Sequence, residues 1–548
     1  MLAAKLIWKC LEKEGVETIF GYPGGALLPM YEALRSSSIK HVLVRNEQSA
    51  PHMASGYARE SCSVGVCLAT SGPGATNLIT GIATAFLDSI PLVAITGQVN
   101  RDLIGTDAFQ EADIFGATTP FTKHSYLVKD PEELPRIIHE AFHIATTGRP
   151  GPVLIDIPRD VQNENIHNVK YVDAVNIRGY KPTYEGHTGQ IKRALRKIKS
   201  AKRPVIYAGG GVRLSHARPE LLAFAERAQI PVITTMMGIS CFPENHPLYC
   251  GVVGSHGFHY SNLIMAESDL CICVGARMSD RGTGGYTGDF DTKQLIHIDI
   301  DPAEIGKNIN NTNIPIVGDA KRVLSDLTEK VITKDLKPWL KRIDKIKADN
   351  PVIYDDPSEL SLVNPKRFVR ELSEIAPEET TLFGDVGLNQ IWAALHFKIY
   401  GERKFFTSGG MGTMGYAIPG AVGATTYLND ADIHSRTVIA MCGDGSFQMA
   451  MADLGVIAAH NLPVKIIVMN NTKLGMVRQL QHDVYGKNHY SGTDIDFNVD
   501  LMRLVTAYGI PGYRAATTEE ALDMMKTCFD TPGPTLLECL VDPDFMYI

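Results

Sequence analysis

The sequence predicts an α/β protein built of three doubly wound, largely parallel-sheet domains. Short apolar, strand-like runs alternate with helical segments along nearly the whole chain, which is the rhythm of parallel sheets covered by helices. The chain is 548 residues long, too many for one hydrophobic core. Two polar, weakly patterned stretches interrupt the alternation and divide it into three blocks.

The first block runs over 1–165. It opens on a helical stripe, Leu6, Ile7, Cys10 and Leu11 among charges, with Gly15 as its stop. Strand-like ETIF, HVLVR, VGVCLAT, PLVAITG and PVLIDIP follow, separated by helical segments. Gln162 to His187 lacks periodicity and reads as a linker. The second block, 188–330, carries RPVIYAGGG, IPVITT, DLCICVGAR and LIHIDIDP. Charged residues from Lys334 to Pro357 read as a second linker. The third block, 360–548, carries TLFGDVG, RKFFTSGG, TVIAMCGDG, PVKIIVMNN and PTLLECLV.

Composition narrows the function. With 53 Lys+Arg against 61 Asp+Glu, the net charge is −8, which argues against a nucleic-acid surface. A small anionic substrate stays open, since a few local arginines can select it. The most apolar stretch, Leu78 to Gly97, is broken by Asp88 and Pro91, so no membrane span is predicted. The N-terminus does not read as a secretory signal. Ten cysteines lack CxxC spacing, and Cys271 and Cys273 read as buried free thiols in a strand. The expectation is a reduced, cytoplasmic protein.

The most informative segment is TVIAMCGDGSFQMAMADLGVIAAHNLPVKIIVMNN, a strand–turn–helix–loop–strand unit. Parallel strands put both C-terminal ends on one sheet edge, where open α/β sheets bind ligands. Asp444, ending the first strand, and Asn471, ending the second, are thereby brought together as oxygen donors. A carboxylate and an amide oxygen suit a hard cation such as Mg²⁺ that shares its shell with phosphate oxygens. Gly443 and Gly445 permit the tight turn, and Ser446 is expected to open a helix whose free N–H groups face a phosphate. The four residues GDGS alone favour a plain strand-to-helix turn; the NN at the end of the next strand reverses that and favours the metal.

Block one offers VRNEQSAPHMASGYAR, with Glu47 between an apolar strand and a helical run. Partial burial there would raise its pKa and suit it to proton transfer, whereas an acid at a helix start is also a common structural feature.

GDG followed by NN resembles the thiamine-diphosphate enzymes. The resemblance implies the pyrimidine, central and diphosphate-binding domains of that fold. It also implies a metal held by Asp444, Asn471 and the main-chain carbonyl of Lys473, with Met476 beside the cofactor. Glu47 matches the glutamate that bonds the aminopyrimidine ring and sets its tautomer. TSGGMGTMGYAIPGA looks like the segment beneath the cofactor, with Met414 as apolar wedge and the Gly412 carbonyl holding the 4′-amino group. GDVGLNQIW resembles the diphosphate loop; Leu388 and Asn389 stand where a Gln-His pair is frequent, so only Gly387 is carried over.

Within these enzymes, GYPGG (Tyr22, Pro23, Gly24 and Gly25), TSGPGATN, DSIPLVAITGQV and IGTDAFQEADI closely resemble the acetolactate synthases, also called acetohydroxyacid synthases, over essentially the whole chain. This implies that pyruvate loses CO₂ and its two-carbon unit passes to a second 2-oxo acid, pyruvate or 2-oxobutanoate, in branched-chain amino-acid biosynthesis. Arg281 matches the acceptor arginine, and Phe109 and Gln110 match residues of the same pocket. RPVIYAGGGVR lacks GxGxxG, a weak dinucleotide signal by itself. The resemblance implies FAD bound without redox use, at Arg149, Gly210, Gly211, His256, Gly257, Arg277, Asp301 and Asp319. It further implies a homodimer or dimer of dimers, because sites in these enzymes join domains of two subunits, and a small regulatory subunit in many members.

Departures are informative. Leu480 stands where tryptophan is usual, which predicts a weakened preference for 2-oxobutanoate. Arg159 replaces a common lysine near the substrate entrance. The chain stops at Ile548, before the family's usual closing tail. The alternatives are a carboligase with another acceptor such as glyoxylate, which the presence of Glu47 opposes, a pyruvate oxidase, and a regulatory paralogue without turnover.

Overall fold

The computed structural model describes residues 1–546 apart from positions 168, 170, 172, 173, 286–292, 310, 311, 355–361 and 498. Parts of both linkers, and the chain end at Ile548, therefore lie outside the described residues.

Three six-stranded sheets follow one another along the chain. The first contains β1 (Thr18–Tyr22), β2 (Lys40–Leu43), β3 (Gly65–Ala69), β4 (Leu92–Gln98), β5 (His124–Leu127) and β6 (Pro152–Pro158), in the order β2-β1-β3-β4-β6-β5. The second contains β7 (Pro204–Ala208), β8 (Val232–Thr234), β9 (Tyr249–Val252), β10 (Leu270–Val274), β11 (Gln294–Asp299) and β12 (Ile314–Val317), in the order β12-β11-β10-β7-β8-β9. The third contains β13 (Thr380–Gly384), β14 (Lys404–Thr407), β15 (Thr437–Gly443), β16 (Val464–Asn470), β17 (Gly512–Ala515) and β18 (Thr535–Leu540), in the order β14-β13-β15-β16-β18-β17. Neighbours in all three sheets run parallel. The predicted fold class stands.

The central strands are continuous apolar runs because helices cover both faces. β3, β4, β6, β7, β10, β13 and β16 are buried at every position. Four strands escape the sequence pattern: β5, β9, β12 and β17. All four lie at sheet edges, and all but β9 are only partly buried. One linker expectation is corrected. A helix, Lys337–Asp349, lies inside the stretch read as unstructured, and it buries Trp339, Ile343 and Ile346 against the second sheet's layer. Its many lysines hide a narrow apolar stripe.

Each sheet has a switch point, where the chain leaves one side of a strand and resumes on the other. These fall between β1 and β3, between β7 and β10, and between β13 and β15. The first and third domains are joined by two helices, Ser49–Ser61 and Ala417–Asp430. A side chain at Gly56 would run into the Gly420 carbonyl, and one at Gly423 into the Met53 carbonyl, so the two backbones touch. Arg59 donates to the Thr407 carbonyl at 2.8 Å, and the Ser55 and Tyr416 hydroxyls meet at 2.9 Å.

Candidate functional site

At the third switch point, the turns after β13 and β15 and the loop after β16 enclose a cavity of about 100 Å³. Gly387, Met414, Gly443, Asp444, Gly445, Ser446, Asn471, Lys473 and Met476 all line it. Sequence had placed each of these at the cofactor. Two boundaries move by a residue: β15 ends at Gly443 and β16 at Asn470. Ser446 does not open the helix; Asp444 does, because its backbone already turns helical after Gly443.

The cavity is built to receive an anion. Helices Leu388–His396, Asp444–Ala450 and Gly475–Tyr485 all begin at its wall, so their unpaired N–H groups and positive ends converge there. Gly387, at φ 146°, takes a backbone conformation that side chains rarely adopt and leads into the first of these helices. A Cβ on Gly445 would meet Leu474 at 3.0 Å and Met414 at 3.6 Å, so any side chain there would crowd the wall and require Leu474 to shift. Asp444 is buried, 1% exposed, and Asn471 is 6% exposed. The Asn471 side-chain oxygen accepts from the Lys473 N–H at 3.1 Å, which bends the loop and fixes where the Lys473 main chain runs. The Lys473 ammonium pairs with Asp494 at 3.0 Å. Among the described residues no group of three or more His, Cys, Asp or Glu is placed to hold a metal ion by itself. One carboxylate, one amide oxygen and one carbonyl fit a Mg²⁺ ion that arrives with a diphosphate and keeps several of its own ligands.

Sequence reasoning passed over Asp385, between β13 and Gly387. Its buried carboxylate accepts from the N–H groups of Val386 at 2.8 Å, Gly415 at 2.9 Å and Ala417 at 2.8 Å. It thereby ties the diphosphate turn to the segment carrying Met414 and Gly412. Burial pushes this carboxyl up to about 6, against the pull of those N–H groups. The same segment is held from the first domain: Gly410 N–H donates to Asp88 at 2.7 Å, and the Thr413 and Thr84 hydroxyls meet at 2.7 Å. Gly412 itself, at φ 71°, lies outside the cavity wall. Asn389 lines the cavity and donates to the Asp385 carbonyl at 2.7 Å.

At the first switch point, Tyr22 ends β1 and Pro23, Gly24 and Gly25 follow it, and Thr70 follows β3. Gly24 packs against the Thr70 side chain, and the Thr70 hydroxyl accepts from the Ala26 N–H at 3.3 Å. Glu47 is half-buried beside them and accepts from Asn77 Nδ2 at 3.0 Å. Gln110, at φ 59°, lies over Gly72. Its neighbour Phe109 is 88% exposed. None of these residues lines the cavity of the third domain; that wall is made of third-domain residues alone.

At the second switch point, a cleft of about 410 Å³ follows β7 and β10. Arg149, Gly210, Gly211, His256, Gly257, Arg277, Asp319 and Arg281 line it. Asp301 does not, but it holds Arg149 at 3.3 Å while Glu304 holds it at 2.6 Å. Asp319 caps the helix Ala320–Lys330, accepting from Arg322 N–H at 3.2 Å. Desolvation, and next the charge of Arg281, lower the His256 pKa. Arg281 is exposed and lies 3.9 Å from Asp280, so the weak surface pair is what the protomer contains. All ten cysteines are free, and only Cys62 is exposed. Among the described residues, no helix is long and apolar enough to cross a membrane.

Comparison with known proteins agrees with this geometry. Three family profiles match in series: "Thiamine pyrophosphate enzyme, N-terminal TPP binding domain" at residues 1–117, the central domain at 191–327, and the "C-terminal TPP binding domain" at 385–539. The chain is 47% identical to a probable acetolactate synthase large subunit of Methanocaldococcus jannaschii, covering 99% of this chain and 92% of that one. It is 46% identical to an acetolactate synthase of Arthrospira platensis, covering 97% and 93%. An acetolactate synthase large subunit of Corynebacterium glutamicum is 44% identical, with 99% and 87% covered.

Proposed function

From the premise that this chain belongs to the thiamine pyrophosphate enzymes, and among them to the acetolactate synthase large subunits, we propose how its three switch points divide the work. The third-domain cavity holds the diphosphate on converging helix starts, and Asp444, Asn471 and the Lys473 carbonyl hold Mg²⁺. When bound, thiamine diphosphate supplies the electron sink for breaking and making carbon–carbon bonds next to a carbonyl. Met414 and the Gly412 carbonyl, on the segment tied by Asp385, set the bend and orientation of the cofactor. Glu47 manages a proton at the pyrimidine ring, with Asn77 fixing its carboxylate.

Glu47 lies on a separate edge from the cavity that its role requires, so a second copy of the chain completes each site. The minimal unit is a homodimer, and exposed Phe109 is covered by the partner beside Gln110. Arg281 gains its role there too, gripping the acceptor's carboxylate with its planar fork. Pyruvate is the donor, and pyruvate or 2-oxobutanoate the acceptor. The cleft of the central domain would hold FAD, at Gly210, Gly211, Arg149 and Arg277 among its lining residues, without redox use. Domains 1–165, 188–330 and 360–548, a cytoplasmic location and a small regulatory partner complete the reading.

The observation that carries this is the gathering of nine cofactor-side residues on one cavity at the β13–β15 switch point. Product analysis tests it, with pyruvate alone and with added 2-oxobutanoate, each with and without thiamine diphosphate and Mg²⁺. Acetolactate and 2-aceto-2-hydroxybutanoate, both dependent on cofactor and metal, are expected. Oxygen consumption with acetate as product would instead indicate a pyruvate oxidase.

A further inference from the structure

A loop over 99–113 joins β4 to the short helix Ile114–Thr118 and carries Phe109 and Gln110. No residue from 99 to 113 is buried within the protomer, so packing against the core does not hold the loop. Its backbone is nevertheless strained. Asp107, at φ 57°, and Gln110, at φ 59°, both lie in the left-handed region, as does Gly105 at φ 85°. Such conformations in residues other than glycine persist only where the surroundings over-determine them. The loop also rests on the turn after β3. A Cβ on Gly72 would come 2.9 Å from the Gln110 Cα, and one on Gly74 3.6 Å from Glu47 Oε1. The shape of the loop therefore decides where Gln110 stands relative to Glu47.

Two side chains supply the constraint that packing does not. Gln98, the last residue of β4, is buried, 4% exposed. Its Oε1 accepts from the Val99 N–H at 2.9 Å, and its Nε2 donates to the Ala112 carbonyl at 2.9 Å. One amide thus grips both feet of the loop. A main-chain N–H only donates and a carbonyl only accepts, so the amide fits one way round. Asp156, on β6, braces it from beneath: one oxygen accepts from Gln98 Nε2 at 3.0 Å and the other from the Thr96 hydroxyl at 2.7 Å. Glu111 holds the far end. Its carboxylate accepts from the Gly105 N–H on one oxygen and from the Ala108 N–H at 3.1 Å on the other, closing the turn around Asp107.

We propose that Gln98 and Glu111 are positioning residues of the acceptor pocket, fixing the loop so that Phe109 and Gln110 present one surface to the second 2-oxo acid. This rests on the reading of Phe109 and Gln110 as acceptor-pocket residues. Gln98 and Glu111 act through the main chain and need no contact with substrate. Where the loop is released, the carbon that would have bonded to the acceptor takes a proton instead. Pyruvate and a proton then yield acetaldehyde and CO₂, and no acetolactate forms in that turnover.

The test uses the full chain saturated with thiamine diphosphate, Mg²⁺ and FAD, supplied with pyruvate. The ratio of acetaldehyde to acetolactate is measured, because it does not depend on how much of a variant is folded. Gln98→Met keeps the side-chain length without its three hydrogen bonds, Glu111→Ala removes the far tether, and Glu111→Gln keeps one acceptor oxygen. The ratio should rise about ten-fold or more in Gln98→Met and Glu111→Ala, and less in Glu111→Gln. Without cofactor, amide protons over 99–112 should exchange with heavy water about ten-fold faster in the first two variants, with β4 and β6 unchanged. Glu111 bonds at the surface, so Glu111→Ala keeps the test open should circular dichroism show Gln98→Met unfolded. A wild type that forms no acetolactate removes the functional reading and this proposal with it. A wild type that forms it, beside folded variants with its product ratio or its loop exchange, overturns the positioning role alone.

Discussion

Replacing Asp385 by Asn probes how the cofactor cavity is held open. The carboxylate accepts three backbone N–H groups, two on one oxygen and the Ala417 N–H on the other. An amide has one acceptor oxygen, so whichever way it turns, an NH₂ group faces a buried N–H. Leaving one buried donor unpaired costs about 1–3 kcal/mol, and loss of charge weakens the remaining bonds. The total is about 2–4 kcal/mol. If it falls on the segment carrying Met414 and not on the whole fold, affinity for thiamine diphosphate drops by roughly 30- to 1,000-fold. Trp392 lines the cavity, so its fluorescence reports binding; urea unfolding reports the fold. The pH dependence has a definite sign. Burial raises the folded-state pKa to about 6, above its unfolded value of 3.8. Between those values the native state holds more protons than the unfolded state, so this group's contribution to stability rises as pH falls from 7 through 6 toward 4. The wild type should therefore gain on Asp385→Asn over that window. A variant with wild-type cofactor affinity and wild-type stability would refute the reasoning.

Glu47→Gln should keep cofactor binding and slow acetolactate formation by about 10²- to 10⁴-fold, measured by product assay. Asp444→Ala should abolish the rise in melting temperature that thiamine diphosphate with Mg²⁺ gives the wild type, without lowering the melting temperature of the unloaded protein by more than a few degrees. Leu480→Trp should shift competition between pyruvate and 2-oxobutanoate toward the latter, by about 10- to 200-fold at most, since the change is one of pocket shape. Gly56→Ala should cost upwards of about 3 kcal/mol in denaturant unfolding, because the added methyl has nowhere to go between two backbones.

The fold class and the meeting of Asp444 with Asn471 were legible for the same reason. Strands buried on both faces must be apolar throughout, and β15 and β16 deliver Asp444 and Asn471 to one edge by topology alone. The edge strands β5, β12 and β17 were not legible because each is only partly buried, and β9, buried at three of its four positions, because it is too short to show a pattern. The helix Lys337–Asp349 hid behind its charges, its three buried residues too few to outweigh four lysines and an arginine in thirteen positions. Asp385 escaped for a different reason. Its partners are main-chain N–H groups some 30 residues away, and a backbone tether leaves no pattern in side chains. Leu388 and Asn389 look like a departure at the cavity, yet Asn389 still serves it, by bonding to the main chain of Asp385. Arg281 and Glu47 needed the family resemblance, since within one protomer the first is a surface cation and the second an acid at a helix start.

The meeting of Gly56 with Gly420 has a mechanical corollary. Two helices in contact backbone to backbone, with Ser55 bonded to Tyr416 at the start of the second, act as a weld and not a hinge. A protomer so welded cannot breathe by rocking its first domain against its third. Admission of substrate and release of product must then fall to short loops at the rims, and the amide protons along Ser49–Ser61 and Ala417–Asp430 should exchange with heavy water only when the whole molecule unfolds.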